Sequence, residues 1–223
     1  MYKDKELQEP YGDDWPDCYI LKALRYPGSQ YSKEEAIRAR KAFYAQCTQI
    51  DYEIRLLIGT LRECNLLDDT IIVFLSDHGD MLFDHNMVAK RLMYDNSARI
   101  PLIITGKSAL EYRGKGYEDK LATMSDVMPT LLDMCGISIP DHVDGFPLFS
   151  SIKREYIYGE VSNGEKATRM IRNERYKLIY YPTGNVKQLF DMVNDPHETH
   201  DLSGTDEYKP ILESMEKTLI TEL

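Results

Sequence analysis

The chain has 223 residues, 43% hydrophobic and 29% charged, a balance that fits a folded protein with one sizeable core and excludes a disordered chain. It carries 27 Lys and Arg against 37 Asp and Glu, a formal charge of -10, and has no run rich in Lys or Arg. We therefore expect no nucleic-acid partner and no membrane partner.

The N-terminal sequence MYKDKELQEP has no apolar core, and no apolar run approaches the ~20 residues of a membrane helix. As written, the chain is predicted to be cytoplasmic, although a full-length parent could be exported. Residues 1–31 are rich in Tyr, Pro, Gly and Asp and predict an irregular lead-in.

A long helix is predicted from residue 32 onward. Ser32 and Glu35 have the spacing of a capping box. Apolar residues then recur four and three positions apart, at Phe43, Cys47, Ile50, Ile54, Leu57, Leu61 and Cys64. This stripe is expected to pack on a sheet, and Cys47, Cys64 and Cys135 are predicted to be buried free thiols.

Two apolar runs without alternation, DDTIIVFLS and IPLIITG, predict strands that are buried on both faces. SDVMPTLLDMCG predicts a short helix with Ser125 as its N-cap and Gly136 just past its end. Helices next to buried strands predict an α/β domain over residues 32–150, with helices covering a parallel or mixed sheet.

Residues 151–223 predict a small subdomain. Four Tyr-, Ile- and Val-rich runs are separated by NGE, NER and PTGN, which is typical of an antiparallel meander. The four runs are REYIYGEVS, KATRMIRNE, RYKLIYYP and VKQLFDMV. The amphipathic sequence DEYKPILESMEKTLITEL then predicts a terminal helix.

Titratable residues are concentrated directly after the first predicted strand, residues 70–76, in the sequence SDHGD. Ligands of α/β proteins bind beyond the carboxyl ends of strands, and a carboxylate beside an imidazole suits Ca²⁺, Mg²⁺, Mn²⁺ or Zn²⁺. Asp77 and His78 are therefore candidate metal ligands. Alternatively, Asp77 caps the turn and His78 is a satisfied loop histidine.

Three further residues have two interpretations each. Lys90 could bind a sulfuryl or phosphoryl oxygen as a point charge, or it is a surface lysine. His85 faces either the pocket or solvent. Arg99 more readily forms a structural ion pair with Asp95 than a substrate contact. The residues alone lead to a metal-assisted hydrolase as one interpretation and a solvated loop as the other.

The sequence DDTIIVFLSDHGDMLFDHNMVAKRLMYDNSARIPLII resembles the second metal-binding segment of the sulfatase family, in the alkaline-phosphatase-like superfamily. The resemblance extends over residues 35–203. MSDVMPTLLDMCGISIPDHVDGFPL is similar to the helix and loop after the site, and RMIRNERYKLIYYPTGNVKQLFDMVNDPHETHDL to the C-terminal subdomain. The resemblance implies part of an alkaline-phosphatase-like fold, a mixed sheet covered by helices. It also implies the activity of a sulfuric-ester hydrolase similar to the arylsulfatases.

The resemblance assigns roles to four residues. Asp77 matches the acidic ligand of a divalent cation, usually Ca²⁺ with Mg²⁺ or Mn²⁺ as alternatives, and His78 matches the adjacent ligand. Lys90 matches the catalytic lysine that contacts the sulfate group and helps the leaving oxygen depart. His85 falls where family members often place a substrate-facing residue.

One family motif is absent from these 223 residues. Neither Cys nor Ser begins a C/S-x-P-x-R motif, whose first residue becomes the formylglycine nucleophile. The chain thus resembles the C-terminal half of a sulfatase and is predicted to be inactive alone. The expected partners are a sulfate-ester substrate and either an N-terminal half chain or a second copy. A non-catalytic remnant or binding subunit, and a phosphonate monoester or phosphodiester hydrolase, are the alternative functions.

Overall fold

A computed structural model describes residues 2–12, 21–22, 30–113, 116 and 120–222. Its helices are α1 (Lys33–Glu63), α2 (Asp95–Ala98), α3 (Lys107–Arg113), α4 (Val127–Met134) and α5 (Lys209–Glu222). Its strands are β1 (Ile72–Leu75), β2 (Leu102–Thr105), β3 (Ile157–Val161), β4 (Thr168–Arg172), β5 (Tyr176–Tyr181) and β6 (Val186–Asp191). Among the described helices, none is long and apolar enough to cross a bilayer.

Helix α1 begins at the predicted capping box. Ser32 is the N-cap, its hydroxyl accepts from the Glu35 amide at 3.3 Å, and the Glu35 carboxylate accepts from the Ser32 amide at 2.8 Å. Only Ala36 and Arg40 of this helix are buried. The predicted packing of its apolar stripe on a sheet is wrong for the described chain, since Leu57 remains 66% exposed.

The predicted burial of the three cysteines is wrong for the same physical reason. Cys47, Cys64 and Cys135 are free thiols, as expected, but all three are exposed. Helical periodicity identifies an apolar face without showing what covers it. The described elements leave these faces of α1 and α4 open.

Strands β1 and β2 form a two-stranded antiparallel ribbon in which Phe74 lies opposite Ile103. The prediction that both strands are buried on both faces is wrong for the described chain. Phe74 is 37% exposed and Ile103 is 55% exposed, because the described helices leave part of the ribbon uncovered.

Helix α4 differs from its prediction in its cap. Its N-cap is Asp126, which makes no side-chain cap hydrogen bond, and not the predicted Ser125. Thr123 and Asp126 form a capping box at the 3-10 turn of residues 124–126, which precedes the helix. Asp126 is fully buried and accepts two hydrogen bonds from the Arg154 guanidinium, both at 2.6 Å. Gly136, with φ 66°, follows the helix end as predicted.

The C-terminal half contains the predicted meander. Strands β3, β4, β5 and β6 pair antiparallel in chain order, with NER and PTGN between the last three. Helix α5 packs on one face of this sheet. Its apolar cluster consists of Ile171, Leu178, Leu189, Met215 and Leu219.

The opposite face of the sheet supports the segment that follows the SDHGD turn. Side chains from residues 81–94 and from β4, β5 and β6 form one buried cluster. Its members include Met81, Met87, Leu92, Tyr94, Ile179, Tyr181 and Phe190. The C-terminal sheet therefore supports the candidate site through the packing of residues 81–94.

Candidate active site

The turn after β1 is closed by its own side chains. Ser76 donates its hydroxyl hydrogen to the carbonyl oxygen of His78 at 2.6 Å. The His78 amide donates to Asp77 Oδ1 at 3.0 Å. These bonds hold both candidate ligands at the end of the strand, where the Asp77 side chain is 77% exposed and that of His78 is 35% exposed.

Gly79 joins this turn to α2. Its amide donates to the carbonyl oxygen of Ser97 at 2.9 Å. A Cβ atom at this position would lie 2.0 Å from the carbonyl oxygen of Asn96. Glycine is required here because the two backbones approach more closely than a side chain allows.

The His78 imidazole is oriented by the same glycine. His78 Nδ1 lies 2.7 Å from the Gly79 carbonyl oxygen, which can only accept, so Nδ1 carries a proton. In the neutral ring, Nε2 then presents a lone pair. Nε2 contacts the Lys90 ammonium and lies 3.2 Å from Asp77 Oδ2. Two electron-rich atoms this close are favourable only with positive charge beside them, and the Lys90 ammonium supplies that charge in this structure.

Lys90 lies at the end of a loop with unusual backbone geometry. Six non-glycine residues have positive φ in this loop: Leu82, Phe83, His85, Asn86, Ala89 and Arg91. Such conformations cost of order 1–3 kcal/mol each and persist only where surrounding contacts enforce them. Strain of this kind concentrates at functional sites, so the loop is a second pointer to this region.

A buried ion pair fastens the loop to α1. The Arg40 guanidinium binds the Asp84 carboxylate and donates to the Leu82 carbonyl oxygen at 2.8 Å. Asp84 also accepts from Asn96 at 2.6 Å and from the Tyr11 amide at 3.0 Å. Burial raises the pKa of Asp84, against the opposing effect of these donors.

Sequence reasoning missed the Arg40–Asp84 pair, although a signal for it exists. Arg40 lies four residues after Ala36 and three before Phe43, on the apolar face of α1. A charged residue on such a face requires a buried partner of opposite charge. The partner itself could not be identified, because Asp84 lies in a loop without periodicity.

His85 lies in the interior, in contrast to the other three predicted site residues. It is 1% exposed, its ring stacks on Tyr94 at 5.1 Å, and its amide donates to the Tyr11 carbonyl oxygen. His85 Nε2 lies 3.2 Å from the carbonyl oxygen of His197. The structure thus brings Asp77, His78 and Lys90 together, and the substrate-facing role of His85 stays a prediction.

The donor set fits part of a divalent-cation site. Asp77 supplies a carboxylate and His78 supplies Nε2 in the tautomer that can bind a metal. Among the residues that the structure describes, no group of three or more His, Cys, Asp or Glu could hold a metal ion. The pair falls short of the six or so ligands that a hard cation prefers.

Two family profiles together span nearly the whole chain. A profile described as "Sulfatase" matches residues 4–137, and one described as "N-sulphoglucosamine sulphohydrolase, C-terminal" matches residues 83–223. A curated arylsulfatase from Clostridium perfringens is 36% identical over 241 residues. The alignment covers all of this chain and 49% of that relative, so the chain spans about half its length.

Solved structures show the same fold. A 2-O GAG sulfatase superposes with a TM-score of 0.80 at 24% identity, covering 100% of this chain and 54% of the other. A phosphonate monoester hydrolase from Silicibacter pomeroyi gives 0.80 at 24%, covering 100% and 51%. The fold is alkaline-phosphatase-like. Together with the profile matches, this places the chain in the sulfatase family.

Proposed function

We propose that this chain carries the cation- and sulfate-binding part of a sulfuric-ester hydrolase active site. The observation that supports it is the convergence of the Asp77 carboxylate, His78 Nε2 and the Lys90 ammonium beyond β1. Carboxylate and imidazole suit a divalent cation, and an ammonium suits an anionic oxygen.

Asp77 and His78 would hold the cation, since Asp77 Oδ2 lies 3.2 Å from His78 Nε2. Ca²⁺ is the ion we expect, with Mg²⁺ or Mn²⁺ as alternatives. When bound, the cation supplies a fixed positive charge that stabilises developing charge on sulfate oxygens. The bond from His78 Nδ1 to the Gly79 carbonyl oxygen orients the ring and leaves Nε2 as the nitrogen with the lone pair in the neutral imidazole.

Lys90 would bind a sulfate oxygen and assist departure of the leaving oxygen. Its ammonium is a compact point charge on a flexible stem, and it lies within contact of His78 Nε2. Lys90 lies between Ala89 and Arg91, which both have positive φ, in the strained loop from residue 82 to 91. A positive charge placed in advance stabilises the transition state without reorganisation.

The attacking group would come from outside these 223 residues. The sequence contains no C/S-x-P-x-R motif to provide formylglycine. A metal site and a lysine without a nucleophile leave only background chemistry. We therefore propose that the chain alone is inactive and that turnover requires a polypeptide carrying that motif and the remaining cation ligands.

Hydrolysis of phosphonate monoesters or phosphodiesters is the alternative reaction that the fold comparison supports. The similarity to a phosphonate monoester hydrolase keeps phosphonate monoesters and phosphodiesters as substrate classes. A non-catalytic binding subunit is the alternative from another class. Parallel assays on an aryl sulfate and an aryl phosphonate, with the nucleophile-bearing polypeptide present, separate these three functions.

The test compares the purified chain with its Asp77→Ala variant. We expect no turnover of an aryl sulfate with or without Ca²⁺, and weak Ca²⁺ binding, with a Kd of about 10⁻³ M, by isothermal titration calorimetry. Asp77→Ala should abolish that binding. Asp68→Ala is the matched control, because Asp68 is an exposed carboxylate paired with Lys107 away from the turn.

Two results would overturn the proposal. Turnover by the chain alone that Asp77→Ala abolishes would reveal a nucleophile within these residues. Ca²⁺ binding that is unchanged in Asp77→Ala would show that the cation binds elsewhere. Activity that appears only with a co-expressed C/S-x-P-x-R polypeptide would support the enzyme over the binding subunit.

A further inference from the structure

A buried ion cluster holds the N-terminal end of α2, the helix that the turn of the candidate site contacts. It consists of Asp95, Arg172, Lys177 and Glu198, two acids and two bases. Lys177 lies on β5 and Arg172 on β4, while Asp95 begins α2. The Lys177 and Glu198 side chains are only 1% and 3% exposed.

The cluster forms hydrogen bonds with the backbone of the segment that leads into α2. Lys177 Nζ donates to the Met93 carbonyl oxygen at 3.1 Å and to Glu198 Oε1 at 2.8 Å, and it also pairs with Asp95. Glu198 Oε2 accepts from the Asp95 amide at 2.6 Å. Arg172 Nη1 donates to Asp95 Oδ1 at 2.7 Å.

Stability alone does not account for this cluster. Removing charges from water costs several kcal/mol per ion, so a buried ion pair often stabilises no more than apolar residues of similar volume. Glu198 also has φ 56°, a conformation uncommon for a residue with a side chain. A network that is costly to bury and locally strained is expected where a defined geometry is required.

The titration of the cluster reflects this burial. Burial works to raise the pKa of Asp95, but Lys177 and Arg172 outweigh it and leave the pKa below its ordinary value. Burial raises the pKa of Glu198, and the negative charge of Asp95 adds to that effect. The cluster keeps its charge balance only with Lys177 present.

A short chain of hydrogen bonds connects the cluster to the His78 ring. The cluster holds residues 93–95, and α2 follows at once. The Ser97 carbonyl oxygen in α2 accepts from the Gly79 amide at 2.9 Å, and the Gly79 carbonyl oxygen lies 2.7 Å from His78 Nδ1. Displacing α2 would therefore displace the group that sets the His78 tautomer.

We propose that Lys177 and Glu198 are positioning residues, which fix the orientation and tautomer of His78 through α2 and Gly79. The inference rests on the proposed function, in which His78 Nε2 binds a cation. Neither residue touches the cation or the substrate. Partners that orient a ligating histidine typically change metal affinity by about 10- to 100-fold when removed.

The experiment uses the full chain with Lys177→Met, which leaves the carboxylates without their central ammonium. Nitrogen-15 NMR of His78 at about pH 8, where model imidazoles are neutral, reports which ring nitrogen carries the proton. We expect Nδ1–H in the wild type and a mixed tautomer in the variant. The Gly79 amide should also exchange faster with solvent, and Ca²⁺ affinity should fall about tenfold.

Glu198→Gln is the second, milder variant, because its amide oxygen can still accept from the Asp95 amide. It serves if Lys177→Met fails to fold, and it should shift His78 in the same direction. Arg175→Met is the matched control. It breaks an ion pair next to the same sheet, Arg175 with Asp191 at 2.8 Å, and should leave the His78 tautomer and the Gly79 exchange rate unchanged.

The result that overturns the inference is a lowered Tm with the His78 tautomer and Gly79 exchange unchanged. An altered His78 signal in Arg175→Met as well would also overturn it, because the effect would then be general. If the wild type binds no Ca²⁺, the proposed function fails, and the tautomer and exchange readouts still decide the inference.

Discussion

Gly79 is the residue on which the geometry of the candidate site depends most directly. Gly79→Ala would place a methyl group 2.0 Å from the Asn96 carbonyl oxygen, so the turn and α2 must separate. We expect a loss of about 1–3 kcal/mol in the free energy of unfolding, by urea denaturation, the usual range for forced overpacking. The bond from Gly79 to Ser97 should weaken with it.

Gly204→Ala is the control for this substitution. A Cβ atom there would meet nothing within 4 Å, so the free energy of unfolding should change by no more than about 0.5 kcal/mol. Equal stability of the two variants would contradict the close approach of the turn to α2.

Asp126 gives the protein a pH dependence in the acid range. Burial works to raise its pKa, but Arg154 and the amides of Phe146 and Thr123 outweigh burial and lower it. A carboxyl whose pKa is lower folded than unfolded stabilises the fold above its ordinary pKa, about 3.9, and loses this as pH falls through the folded value.

Asp126→Asn should therefore make the pH dependence of stability shallower below about pH 4. Urea denaturation over a pH series measures it, and Asp68→Asn, at an exposed carboxylate, should retain the wild-type slope. A wild-type slope in Asp126→Asn would show that this buried carboxylate does not govern acid stability.

At the scale of elements, local signals predicted local structure. The capping box at Ser32, the glycine after α4 and the two turns of the meander were predicted correctly, because neighbouring residues determine each of them. Burial was predicted less well. Cys47 lies on the apolar stripe of α1 and Ile103 in the apolar run of β2, but both are exposed, since an apolar pattern does not specify what covers it.

The candidate site likewise has a part that the sequence could predict and a part that it could not. Asp77 and His78 are adjacent in sequence and follow a strand, so their placement could be expected. The pairing of Lys177 with Glu198 and Asp95 could not, because contacts across 21 and 82 residues leave no periodic signal. The positive φ values of residues 82–91 likewise depend on tertiary contacts.

A substitution in α1 can test intrinsic helix propensity without a change in packing. Gly59 lies inside the helix, and a Cβ atom there would meet nothing within 4 Å. Gly59→Ala should raise the free energy of unfolding by about 0.5–1 kcal/mol, because alanine loses less backbone entropy on folding. Urea denaturation measures the change.

The opposite outcome is expected at Gly164, which provides the comparison. It also has open space, but its φ is 60°, so Gly164→Ala should destabilise the protein. If both substitutions had the same sign, backbone conformation would not be the determining factor at these positions.

Across the whole molecule, burial is distributed unevenly. Every fully buried large side chain among the described residues lies at residue 21, in residues 81–94 or in the C-terminal sheet. Large apolar side chains are exposed on α1, on the ribbon and on α4. They include Ile50, Leu56, Leu57, Phe74, Ile103 and Met128. Where such side chains are contiguous, exposed apolar surface is typical of an interaction face.

The apolar faces of α1 and the ribbon are therefore expected to cause the isolated chain to self-associate or to bind a complementary chain. Burying a Leu or Ile side chain contributes about 1.5–3 kcal/mol. Leu57→Lys and Ile103→Lys should each weaken self-association by about tenfold or more, as measured by sedimentation velocity over a concentration series.

Val193→Lys is the control, because Val193 is 66% exposed but follows β6, away from these elements. A wild type that stays monomeric throughout would refute the self-association. Loss of association in Val193→Lys would move the interface to the C-terminal sheet. A co-expressed polypeptide carrying C/S-x-P-x-R should compete for these faces, giving a heterodimer that Leu57→Lys and Ile103→Lys weaken and Val193→Lys does not.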